Sequence, residues 1–125
     1  SVVVQAGDLL DSRAAARRAG VSIEALYKRS RRGALIGIRN SAGRLAFPAF
    51  QFESAWMMRQ IQRVVARLPI EDPWNRIRFL LTETPDLDGK SPLEAIRQGR
   101  IADAERAARA FYKHQVSDRR AHKLD

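Results

Sequence analysis

The sequence predicts a mainly α-helical chain with one small β-hairpin, in which a compact basic N-terminal half leads into a helical C-terminal half. Three observations carry this expectation. Apolar residues recur at helical spacing through most of the chain, with capping residues ahead of the runs and glycine or proline behind them. Residues 34–47 break that rhythm with short apolar alternation around Asn40-Ser41-Ala42-Gly43, the pattern of two strands joined by a tight turn. The cations are also unevenly spread: nine Lys/Arg face four Asp/Glu up to Glu53, and fourteen face ten from Ser54 onward, within a net charge of +9.

Taken in order, Asp11 or Ser12 is placed to cap a first helix to about Ala19, because a short side-chain oxygen satisfies the free amides of a first turn. Gly20 stops it, and Ser22 caps a second helix that reaches about Arg32 and ends at Gly33. Leu35, Ile36 and Ile38 form one predicted strand and Leu45 and Phe47 the other, with Pro48 ending the hairpin. Helical spacing resumes with Phe52, Trp56, Met57, Ile61, Val64, Val65 and Leu68, and Pro69 closes that helix. Trp74, Ile77, Leu80 and Leu81 mark the next, ended near Pro85. Ser91-Pro92-Leu93-Glu94 then reads as cap, first helical position and capping-box glutamate. A short helix to Gly99 and a last one through Ile101, Ala104, Ala108, Phe111 and Tyr112 complete the series. The expected organisation is a basic module over 1–53, a connecting and dimerising helix over 54–68, a helical domain over 69–116 and a polar tail over 117–125.

Composition narrows the chemistry. The chain has no cysteine, so it offers neither disulfides nor thiolates. No apolar run approaches the roughly 20 residues that a bilayer span needs, and Val2–Val4 is too short for a signal-peptide core, so a cytoplasmic protein without a membrane partner is expected. The basic balance makes nucleic acid the natural partner, through release of counterions from phosphates. A merely solvated basic surface is the plain alternative.

The second helix is where that charge becomes specific. Ala16, Gly20, Val21 and Leu26 have the sizes and spacing for two helices crossing over a tight turn. With Leu26 inward, Ser22, Ile23, Glu24, Tyr27, Lys28, Arg31 and Arg32 point outward. A helix of this kind suits the major groove of double-stranded DNA, its long cations meeting guanine edges and phosphates. Arg39 and Arg44 flank the hairpin turn, where basic side chains reach phosphates or the minor groove.

Residues 12–52, and AGVSIEALYKRSRRGALIGIRN above all, resemble the winged helix-turn-helix of excisionase-like and MerR-like DNA-binding proteins. Val21-Ser22 matches the opening of the family's recognition helix and Arg31-Arg32-Gly33 its close; Arg29-Ser30 departs from the aromatic and aliphatic residues common there. The resemblance implies DNA contacts by Tyr27, Lys28 and Arg31, with Arg39 and Arg44 on the wing. Residues 72–100, DPWNRIRFLLTETPDLDGKSPLEAIRQGR, resemble the toxin-binding domain of Xre/MbcA/ParS-type antitoxins, through Leu87, Gly89, Pro92, Leu93, Glu94, Ile96 and Gly99. That resemblance implies a cognate toxin of the RES type as partner, with Leu87, Gly89, Pro92, Leu93 and Arg97 at the contact. Helix capping and packing also explain each of these residues singly.

Other chemistry finds little support. Gly89-Lys90-Ser91 lacks the earlier glycine and strand of a phosphate-binding loop. His114 and His122 have no ligand partners at zinc spacing, so no metal and no cofactor are expected. Glu71, Asp72, Asp86 and Asp88 suit caps and turns better than a catalytic pair, so no enzyme is expected. Trp56, Met57 and Met58 could line a ligand pocket, but the stripe through Ile61, Val64 and Leu68 fits a homodimer or interdomain core better. The expected function is that of an autorepressing antitoxin, bound as a homodimer to an inverted-repeat operator and neutralising its toxin by direct binding. The alternative is a stand-alone excisionase/MerR-like regulator or DNA-bending factor whose C-terminal helices only dimerise.

Overall fold

Local capping signals set the first elements of a computed structural model of the chain, which describes residues 7–111. Val2–Val4, Tyr112, His114, His122 and the predicted polar tail lie outside the described residues. Asp11 accepts from the Ala14 N–H at 2.8 Å and starts α1 (Ser12–Ala19). Gly20 ends it with φ 70°, a left-handed turn that glycine adopts without steric cost. Ser22 then accepts from the Ala25 N–H at 3.1 Å and starts α2 (Ile23–Arg31).

The predicted hairpin forms, but shorter and with a third strand. β1 (Leu9–Asp11) pairs antiparallel with β3 (Leu45–Pro48), which also pairs with β2 (Ile38–Arg39), so β3 is central. Leu35 and Ile36 lie outside the ladder. A lone two-stranded hairpin is marginal in water, and the added strand gives β3 partners on both edges. Successive residues of β3 feed opposite faces. Phe47 and Leu45 join Leu10, Ala15, Ala16, Leu26 and Leu35 under α1 and α2. Ala46 joins Leu9 and Ile38 in a larger core built with the C-terminal helices. The small sheet is thus the middle of three layers.

That larger core is assembled by α3 (Ala55–Val65), α4 (Pro73–Leu81), α5 (Pro92–Arg97) and α6, the helical residues 101–111. Phe52, read as the first turn of α3, instead sits in a 3-10 turn (Ala49–Phe52), and Ser54 caps α3 through the Met57 N–H at 3.0 Å. Ile61, Val64 and Leu68 pack against Ile77, Leu93 and Ala104 of the same chain. Their predicted role as a dimer seam is therefore corrected: the apolar stripe of α3 is consumed at home, and only Trp56, 41% exposed, remains on the surface. The same core runs from Ile36 to Ala108 and so crosses the boundaries drawn at residues 53 and 69. Glu105, buried on α6, is held by Arg63 at 3.1 Å and Arg67 at 2.9 Å, which ties α6 to α3.

Gln51 connects the layers. Its side chain is fully buried, and its amide works as a surrogate strand edge for Ile36. The Ile36 N–H donates to Oε1 at 2.7 Å, and Nε2 donates to the Ile36 carbonyl at 2.9 Å and to that of Pro48 at 3.3 Å. Replacing Gln51 by leucine leaves the Ile36 amide and carbonyl buried without partners. Gln51→Leu is expected to lower the unfolding free energy by about 2–4 kcal/mol, read as a shifted urea midpoint; an unshifted midpoint would contradict the clamp.

Candidate nucleic-acid interface

At about 100° per residue along a helix, α2 has three distinct aspects. Leu26 is buried beneath it, and Glu24 and Lys28 lie opposite, on its exposed crest. Ile23, Tyr27 and Arg31 fall on one flank. Arg29 and Arg32 fall on the other. The residues predicted as one outward face are therefore divided between a crest and two flanks.

The Ile23–Tyr27–Arg31 flank looks across an open groove of about 960 Å³ at the hairpin, where Arg39 and Arg44 line the opposite wall. Arg13 of α1 and Asp11 close one end. Five of the predicted contacts, Ile23, Tyr27, Arg31, Arg39 and Arg44, thus share one concavity, and Arg13 of α1, which the sequence does not single out, joins them. Arg13 follows Ser12, the residue whose Oγ meets the Tyr27 hydroxyl of α2. Tyr27 is half-buried and donates its hydroxyl to Ser12 Oγ at 3.1 Å, so it fixes the floor of the groove as well as facing it. Ser22 is occupied as the cap of α2 but remains exposed.

Asn40 shapes the hairpin tip. Its Oδ1 accepts from the Ala42 N–H at 2.9 Å and the Arg44 N–H at 3.0 Å, and the Arg39 guanidinium donates to the Gly43 carbonyl at 3.0 Å. Deeper in, Gly37 admits the strand against α2. A Cβ at Gly37 would lie 2.8 Å from Leu45 Cδ2 and 3.0 Å from both Phe47 Cε1 and Ser30 Oγ.

Charge is distributed by half. Among the described residues, none of the nine Lys/Arg up to Glu53 lies within 4.0 Å of a carboxylate. In the C-terminal half, Arg63, Arg67, Arg97, Arg100 and Arg106 are all paired with Asp or Glu. Arg97 bonds Glu53 and Glu94, and the Glu53 hydrogen bonds raise its pKa above the ordinary value for arginine. Arg76 behaves oppositely: burial lowers its pKa, partly offset by the charge of Glu71.

The residues implied as toxin contacts are placed differently from that expectation. Leu87 and Leu93 are buried in the core, Gly89 is exposed in a tight turn, and Arg97 is engaged by Glu53. Pro92 is also buried, but it lines a concavity of about 350 Å³ with Phe79, Ala107 and Phe111. The aliphatic residues at these positions hold the loop and α5 in place, which removes their side chains from any direct contact surface. Among the described residues no group of three or more His, Asp or Glu is arranged to hold a metal ion, and no helix is long and apolar enough to cross a membrane. The chain matches no protein-family model, no curated protein and no solved structure.

The Gly37 contact yields a test of how the groove is built. Gly37→Ala is expected to cost about 1–3 kcal/mol through overpacking and to displace β2, seen as shifted amide resonances for Arg39 and Arg44 in an NMR spectrum. Unshifted resonances for these residues would show that the hairpin is positioned by other contacts.

Proposed function

We propose that this chain is a repressor that binds double-stranded DNA through a winged helix-turn-helix, α1–turn–α2 with the β2–β3 hairpin as wing, and that it doubles as the antitoxin of a protein toxin. The observation that carries the DNA-binding part is the set of unpaired cations around one groove: Arg13, Arg31, Arg39 and Arg44 converge beside α2 without a carboxylate partner. Like charges held together repel one another, and phosphates relieve that repulsion while releasing counterions. Lys28 on the crest and Arg31 on the flank are the candidates for base edges, and Arg39 and Arg44 for phosphates. Two copies on an inverted repeat are the ordinary arrangement for such modules; they would meet elsewhere than on the buried stripe of α3.

The antitoxin part is supported by the resemblance of residues 72–100 to toxin-binding domains, with the concavity beside Pro92 as the place for an apolar side chain of the toxin. Burial of Leu87 and Leu93 favours a second reading, in which the C-terminal helices only brace a stand-alone regulator.

Lys28→Ala combined with Arg31→Ala is expected to weaken operator binding by about 100-fold or more with an unchanged circular dichroism spectrum; retained affinity would refute the assignment of α2. The same double variant should still neutralise the toxin. Thr82→Arg, at the exposed rim of the Pro92 concavity, should abolish neutralisation and spare operator binding. If Thr82→Arg neutralises normally, the C-terminal contact is misplaced; if no gene beside this one encodes a toxin, the bracing reading prevails.

A further inference from the structure

The second flank of α2 does not line the hairpin groove. Arg29 and Arg32 there line a groove of about 580 Å³ together with Arg59 of α3 and Arg76 of α4. No Asp or Glu lines this groove, and among the described residues none of the four guanidiniums has a carboxylate within 4.0 Å. Glu71 acts on Arg76, raising its pKa against the lowering by burial. Arg76 is braced inside the groove: its Nε donates to the Ile70 carbonyl at 3.0 Å and its Nη1 to that of Gly33 at 3.3 Å. Two elements of the C-terminal half thus bring cations to the end of α2, in a part of the chain where Arg63, Arg67, Arg97 and Arg100 are paired with carboxylates.

We propose that this groove is a second anion site, taking backbone phosphates of the DNA strand opposite to the one gripped by the hairpin. The inference rests on the DNA-binding reading and extends it. A major groove is about 12 Å wide and is walled by the phosphates of both strands, while a helix with its side chains is about 10–12 Å across. A helix lowered crest first, with Glu24 and Lys28 leading, sets one flank against each wall. The hairpin groove serves one wall, through Arg31, Arg39 and Arg44; the Arg29–Arg32–Arg59–Arg76 groove serves the other. Its phosphates are read by charge, so it contributes affinity to any sequence. DNA fits this site better than an acidic protein does, because the two cationic grooves share α2 and frame its crest.

The test measures full-length protein on two short duplexes, one carrying the selected operator and one scrambled, between 50 and 200 mM salt. Arg32→Gln with Arg59→Gln is expected to weaken both duplexes equally, by roughly tenfold, and to make the slope of log K against log salt shallower by about 2. Arg32→Lys with Arg59→Lys should restore most of that slope, since phosphates respond to charge. Lys28→Ala, in contrast, should narrow the gap between operator and scrambled sequence. A glutamine double variant that folds normally and keeps the wild-type slope overturns the second site and leaves the DNA-binding reading intact. Wild-type protein that binds neither duplex overturns both. Loss of an acidic protein partner with an unchanged DNA slope also overturns the inference, assigning the groove to that partner.

Discussion

A sheet of three short strands buried on both faces is the constraint on which the rest of this chain depends. β3 alternates between two cores, with Phe47 turned toward α1 and α2 and Ala46 toward the C-terminal helices. A one-residue slip would exchange these sets, placing a phenyl ring where a methyl group fits, so register is strongly specified. Gln51 reinforces it by completing the hydrogen bonding of Ile36, whose amide and carbonyl lie beyond the end of the ladder. The hairpin therefore stands at a fixed angle to α2, and the groove between them is preformed.

On this rigid frame the charges divide into two populations. Arg63 of α3 and Arg67 just beyond it pair with Glu105 of α6, and Arg97 of α5 with Glu53, so these arginines join separate elements. Those around α2 and the hairpin are left to solvent. Buried Glu105 makes its two pairs structural, whereas an exposed pair such as Arg97 with Glu53 adds little stability and matters more for where positive potential remains. Eight of the unpaired arginines line the two grooves beside α2, which concentrates positive potential there.

Much of this was legible in the sequence because it is local. Asp11, Ser22, Asp72 and Ser91 announce helix starts by chemistry that acts within three residues, and Gly20 announces a stop. The exposed crest of α2 and the hairpin arginines follow from period and turn type. Non-local features escaped. Leu9-Leu10 is too short to read as a strand until β3 lies beside it. The stripe of Ile61, Val64 and Leu68 shows that α3 has a buried side, but periodicity cannot say whose side chains bury it. The same gap misplaced Leu87 and Leu93 at a contact surface, and it hid both Arg13 and the groove that Arg59 and Arg76 make with α2, since those partners come from distant elements.

The shared sheet also bears on how such a chain can be cut and recombined. A protein built of separable modules can lose one and keep the other, or exchange it for a relative's. Here Ile38 and Ala46, from the hairpin of the basic half, sit in the same core as Leu93 and Ala104. Truncation after the hairpin would strip one face of the sheet and expose it to water. The two cores share β3, so neither half keeps its packing without the other. Any change on the exposed faces of α2 and the hairpin must then arise by substitution, residue by residue, and not by trading a cassette.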